Sequence, residues 1–145
     1  MGFSVSGSAA ILFIAAFVSV GILYSAAFNG FEQVQDANDA RNERVLEAKN
    51  TAIEVANVTY NETDETMTVN VTNNGSTTLS VSGTDLVSNG SYVTQSAYLN
   101  TSVDGNEETD LWQPGETYSM RVTQAPKPDQ IKVVTSNGVA ATEVV

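Results

Sequence analysis

Six asparagines in this chain stand two residues before a Ser or Thr: Asn57, Asn61, Asn70, Asn74, Asn89 and Asn100. Each heads an Asn-X-Ser/Thr triplet, the acceptor pattern for N-linked glycosylation. Modification at any of them would place that part of the chain outside the cell. Asn74-Gly75 and Asn89-Gly90 have a second reason to exist, since Asn-Gly is the preferred pair for a two-residue hairpin. A further cluster, Asp104-Gly105-Asn106-Glu107-Glu108-Thr109-Asp110, offers side-chain oxygens at alternate positions, as part of a calcium loop would. Its glycine is misplaced for an EF-hand and the closing bidentate Glu is not at the required spacing, so it reads as a solvated acidic loop. The sequence has no Cys and no His. Disulfides, thiol catalysis, zinc sites built on Cys or His, and a histidine general base are therefore excluded. With no glycine-rich phosphate cradle, no supported carboxylate pair and no nucleophile beside a base, the expectation is a protein that is not an enzyme and carries no cofactor.

The elements that must hold these residues begin with a membrane segment. Residues 5–28 carry no charge, and the first charged side chain is Glu32. A bilayer core is crossed by about 20 apolar residues in a helix, and a helix satisfies its own backbone in lipid. No basic residue precedes the run, and the run is longer than a signal peptide needs, so an uncleaved anchor is expected. The start Met1-Gly2-Phe3-Ser4-Val5-Ser6 also fits the myristoylation pattern, which an immediate membrane helix makes redundant. Arg41, Arg44 and Lys49 would place the following segment in the cytoplasm on a literal positive-inside count. Those charges are distant from Phe28 and interleaved with Asp and Glu, and the sequons point outward.

From residue 31 to 50 the chain is polar, helix-favouring and free of Pro. Phe31, Val34, Ala37, Val45 and Ala48 recur at helical spacing, interrupted near Arg41. This reads as a helical stalk, either packing on a partner or serving as a solvated spacer, with Asn29-Gly30 a place where the helix could loosen. The period then changes to two. Ile53 and Val55, then Val58 and Tyr60, then Met67, Val69 and Val71 alternate with polar residues, as do Leu79 with Val81, Tyr118 with Met120 and Val122, and Ile131 with Val133. Asn74-Gly75, Asn89-Gly90 and Asn137-Gly138 are expected hairpins. About seven short strands in this space predict an all-β immunoglobulin-like antiparallel sandwich. The domains are thus 1–30, a transmembrane helix; 31–50, a helical stalk; and 51–145, an extracytoplasmic β-sandwich. Pro114-Gly115 suits a type II turn, and the lone tryptophan, Trp112, is expected to close one end of the core rather than stand exposed as an anchor for a partner.

Seventeen acidic and six basic residues give a net charge of −11. That sign excludes nucleic acid as a partner and disfavours anionic lipid surfaces. It fits either a protein of high-salt surroundings or an ordinary acidic surface.

The start Met1-Gly2-Phe3-Ser4-Val5-Ser6-Gly7-Ser8, the run Ala10-Ile11-Leu12-Phe13-Ile14 and the join Asn50-Thr51-Ala52-Ile53-Glu54-Val55 carry a family resemblance. Together with Trp112-Gln113-Pro114-Gly115-Glu116-Thr117-Tyr118 they make the chain resemble the archaeal flagellar (archaellum) accessory proteins of the FlaF and FlaG type, haloarchaeal FlaF-like proteins above all. The resemblance implies a non-enzymatic, stator-like component of the archaellum motor. It would sit in the cytoplasmic membrane through residues 5–28, its sandwich lying beneath the surface layer and binding surface-layer protein. A FlaG-like archaellum protein and further copies of the chain, as a homodimer or homo-oligomer, are the other implied partners. A filament subunit, archaellin or type IV pilin-like, is the alternative. Its N-terminal helix would pack in a filament core, although the charged stalk and the lack of a short basic leader speak against that. A lone binding module would instead want an exposed aromatic pocket.

Overall fold

A computed structural model describes residues 2–145; Met1, the first residue of the motif above, lies outside the described residues. Helix α1 spans Gly2–Asn50 without a break. Asn29 and Gly30 do not loosen it. Every backbone bond there closes within four residues, and a single glycine costs only about 1 kcal/mol of propensity. Ser19 Oγ donates to Ala15 O (2.8 Å) and Ser25 Oγ to Gly21 O (3.1 Å). These hydroxyls are satisfied by their own helix, which is what a lipid surrounding demands. At about 1.5 Å per residue, the uncharged run 5–28 covers about 36 Å, more than the ~30 Å hydrocarbon core. α1 is long and apolar enough to cross a membrane, and its apolar side chains Ile11, Phe13 and Phe17 are exposed.

A second compact unit runs from Arg44 to Val145, so the last turns of α1 belong to it. Its strands are β1 (Ile53–Asn61), β2 (Thr66–Asn73), β3 (Leu79–Ser80), β4 (Asp85–Ser88), β5 (Ser91–Tyr92), β6 (Tyr98–Val103), β7 (Leu111–Trp112), β8 (Thr117–Thr123), β9 (Gln130–Val134) and β10 (Ala140–Val144). One sheet has the order β1-β2-β8-β6, the other β10-β9-β4-β5, and β3 pairs with β7 as a separate ribbon. All pairs are antiparallel. The two sheets share one core. Met67, Val69 and Val71 of β2 and Tyr118, Met120 and Val122 of β8 meet Leu86 of β4 and Ile131 and Val133 of β9. The result is an immunoglobulin-like antiparallel sandwich, and each fully buried apolar side chain contributes about 1.5–3 kcal/mol.

The alternation slips where the chain bulges. Val55 and Val58 are three apart because the register shifts between Val55 and Asn57. A bulge adds one residue and returns the next apolar side chain to the core face. A second shift, between Tyr98 and Asn100, leaves Leu99 exposed. Of the three Asn-Gly pairs, only Asn89-Gly90 forms the expected two-residue hairpin, with φ of 47° and 82° and Ser88 opposite Ser91. At Asn137-Gly138 only Gly138 has positive φ (82°), and the loop from Thr135 to Val139 is longer. Asn74-Gly75 is no hairpin at all, since β2 goes on to a loop and then to β3.

Candidate functional site

The loop after β2 explains what Gly75 is for. A Cβ placed there would lie 2.5 Å from Asn50 O and 2.6 Å from Ala52 N. Glycine is needed for close approach, not for a positive φ. Ser76 N donates to Asn50 O and Asn74 N to Ala52 O, both at 2.8 Å. Thr51 Oγ1 donates to Glu47 O (2.8 Å), Thr77 Oγ1 reaches the same carbonyl at 3.5 Å, and Asn137 Nδ2 donates to Thr51 Oγ1. The last carbonyls of a helix lack intrahelical partners. Here the β unit supplies them.

Asn73 ties this clasp to the core. It is fully buried, and its Nδ2 donates to Thr77 O (2.9 Å) and Trp112 O (3.2 Å) while its Oδ1 accepts from Gly75 N (3.1 Å). Its backbone pairs with Glu116 O and Gly115 N. Those groups belong to the expected type II turn: Glu116 N bonds Gln113 O, and Gly115 has φ of 88°. Trp112 is wholly buried and tilts against Tyr118 with ring centroids 5.5 Å apart. Its Nε1 donates to Glu116 O at 2.9 Å. The tryptophan thus closes the core at the end where the helix is clasped. Sequence reasoning missed Asn73, because nothing in a Thr/Asn-rich strand marks one asparagine as buried.

The sequon asparagines are spread over the domain. Asn57 and Asn70 are register partners on the outer face of the β1-β2-β8-β6 sheet. Asn57 is exposed and its Nδ2 donates to Thr59 Oγ1 (3.2 Å), while Asn70 is half-buried. Asn61 ends β1, with Oδ1 accepting from Thr63 N (2.9 Å) and Asp64 N (3.2 Å). Asn74 and Asn100 donate to Glu54 Oε2 (2.7 Å) and Glu107 Oε1 (2.8 Å). Asn89 lies on the other sheet, in the β4–β5 turn, and its Oδ1 accepts from Asp129 N and Gln130 N, each at 3.1 Å.

The acidic loop turns its carboxylates to separate tasks. Asp104 and Gly105 (φ 48° and 86°) form a tight turn across which Val103 and Asn106 exchange backbone bonds of 2.9 Å. Asp104 Oδ1 accepts from Thr117 N, Asn106 Oδ1 from Glu108 N, and Asp110 from Ser82 N (2.7 Å) and Ser80 Oγ (2.8 Å). The Ser82 amide, with the Ser80 hydroxyl, holds the Asp110 carboxyl below its usual range. Among the described residues no three His, Cys, Asp or Glu side chains are grouped to hold a metal.

A family model for archaeal-type flagellin matches residues 2–144. The chain belongs to that family. This archaeal-type flagellin family member is a non-enzymatic archaellum component. Among solved structures it is similar to the archaellum periplasmic stator protein FlaG from Sulfolobus acidocaldarius. Identity is 19% with a TM-score of 0.48, covering 66% of this chain and 99% of that one. The FlaF–FlaG stator complex of the same organism gives 19% identity and a TM-score of 0.46 over 64% of this chain and 87% of that one. The ligand-binding region of serine-glutamate repeat protein A from Enterococcus faecium gives 14% and 0.35 over the same shares. No curated protein matches.

Proposed function

We propose that the chain is a membrane-anchored, stator-like part of the archaellum motor. Residues 1–30 cross the cytoplasmic membrane, 31–50 form the stalk, and 51–145 form an extracytoplasmic domain beneath the surface layer. That domain binds surface-layer protein, with a FlaG-like archaellum protein and a second copy of the chain as further partners. N-glycans attach at exposed sequons, Asn57 and Asn61 before the half-buried Asn70. The observation that carries this reading is the abrupt change along α1. An uncharged run is followed from Glu32 by Asp36, Asp39, Arg41, Glu43, Arg44, Glu47 and Lys49, exposed on a helix that continues to Asn50. Lipid suits the first part and water the second. The edge strands β1 and β10 lie against each other, which leaves the edges at β6 and β5 for pairing with another β-protein.

The match to archaeal-type flagellin over nearly the whole chain favours a second reading, a filament subunit whose α1 packs in a filament core. Shearing filaments from motile cells and blotting each fraction separates the two. The anchor stays with membrane and envelope and leaves the filaments clean, whereas stoichiometric recovery in sheared filaments establishes the subunit. If the anchor holds, surface-layer protein should be retained on the full chain in a pull-down, and its absence there would refute the partner.

A further inference from the structure

We propose that the cleft between the β4–β5 turn and the chain leaving β8 is a binding site for a neutral saccharide. The cleft measures about 360 Å³, at the lower end of the ~300–1,000 Å³ typical of small-molecule sites and suited to a mono- or disaccharide. Its walls carry Ser91, Tyr92, Thr94, Thr123, Gln124 and Pro126, and none of the residues lining it is charged. In a chain of net charge −11 that neutrality sets the ligand class. No Lys or Arg is present to hold a phosphate or carboxylate, and no carboxylate is present to hold an amine or a metal.

Tyr92 is 55% exposed. Its neighbours on the core side are different: Val93 is buried and packs in the core. An aromatic ring that stays in solvent beside hydroxyl and amide groups matches the two faces of a sugar. The C–H face stacks on the ring, and the hydroxyls exchange hydrogen bonds with the Ser, Thr and Gln side chains.

Both walls are fixed before any ligand arrives. On one side, Asn89 Oδ1 binds the Asp129 and Gln130 amides and Asn89 N binds Gln130 O, which pins the β4–β5 turn to β9. On the other side, Gln124 N donates to Glu65 O, Tyr60 OH donates to Gln124 O, and Gln124 Nε2 donates to Pro126 O. A preformed site spends less of its interaction energy on ordering. The inference does not depend on whether the chain is an anchor or a filament subunit, because the cleft lies wholly within the sandwich.

The test uses the full chain made in a host that does not glycosylate it, held in a detergent without a sugar headgroup. Methyl glucoside, maltose and lactose are titrated while the backbone amide resonances of Ser91, Thr94 and Thr123 are followed. Glucuronate and glucosamine serve as charged counterparts. At least one neutral sugar should give a saturable shift confined to the cleft, and the charged sugars should bind more weakly. Tyr92→Ala should weaken binding by about tenfold or more, and Tyr92→Phe, which keeps the ring, should retain it. No saturable shift with any neutral sugar overturns the proposal. So does a Tyr92→Ala chain that binds as the unaltered one does, or equal binding of the charged sugars. The sugar could come from another molecule or from this chain's own sequon at Asn89. Repeating the titration on glycosylated chain before and after glycan release distinguishes them: binding that appears only after release identifies the chain's own glycan as the occupant, and binding unchanged by release identifies an external one.

Discussion

Replacing Gly75 with Ala should damage this protein more than replacing the turn glycines does. The new Cβ would lie 2.5 Å from Asn50 O, and ordinary contact begins at 3.4 Å, so the loop must retreat by about 0.9 Å. All the nearest atoms are backbone, which cannot rotate aside. A retreat of that size carries the 2.8 Å bonds from Ser76 N to Asn50 O and from Asn74 N to Ala52 O beyond hydrogen-bond length. Two lost backbone bonds cost about 1 kcal/mol each and overpacking about 1–3 kcal/mol. The reduced freedom of the unfolded chain returns about 0.5 kcal/mol. The net loss is about 2.5–4.5 kcal/mol, a fall in Tm of about 10–35 °C for a domain of this size. Gly90→Ala is the comparison: it sits at φ of 82° with nothing within 4 Å of the added carbon, and a left-handed alanine costs about 1–2 kcal/mol. Thermal unfolding of the full chain in micelles gives the ranking, and hydrogen exchange at the Ser76 amide locates the effect. If Gly90→Ala is the more damaging, or if the Ser76 amide stays protected in Gly75→Ala, the close-approach argument is wrong.

Asn73→Ala should cost about 2–4 kcal/mol in denaturant unfolding, because it strands Trp112 O in the core and removes the partner of the half-buried Thr77 O and Gly75 N; a loss under about 1 kcal/mol would mean water replaces the amide. Phe13→Asp puts a charge in the uncharged run at about 3 kcal/mol on insertion scales, so the protein should leave the carbonate-washed membrane fraction, and its retention there would refute the anchor. Stability should fall in alkali. Burial raises the Tyr98 hydroxyl to about 12 and pushes Tyr118 higher still, against an ordinary value of about 10. The folded state thus holds these protons more tightly, and the stability they support is complete below pH ~10 and lost as pH rises through about 12. Urea midpoints that stay level from pH 9 to 11.5 would contradict this, and Tyr118→Phe should flatten the decline.

Much of the sandwich was legible because its core strands obey a simple period. Met67, Val69 and Val71, and likewise Tyr118, Met120 and Val122, face one another across β2 and β8 as alternation requires. Even the irregular step from Val55 to Val58 was visible as a spacing of three, though only the register shows it to be a bulge. What stayed hidden depends on distant partners. Asn74-Gly75 carries the same local signal as Asn89-Gly90, yet the carbonyl of Asn50 decides its role. Tyr92 is one tyrosine among five in the sequence, and its place beside Thr123 and Gln124 follows from how the two sheets meet. A sequence shows a turn's chemistry readily, but not which buried carbonyl that turn will meet.

The stalk weighs on the choice between anchor and filament subunit. A close-packed filament core would have to desolvate Glu32, Asp36, Asp39 and Arg41 together, at several kcal/mol for each ion left without a good partner. A stalk standing in water leaves them hydrated at no cost. The clasp at the other end of α1 serves either role in the same way. Asn50 O and Glu47 O are capped by Ser76, Thr51 and Thr77, and the hydrogen bonds that hold this last turn of α1 run on to Asn73 and Trp112. The charges from Glu32 onward thus favour the proposed anchor, whose stalk would stand in water, over a helix packed in a filament core.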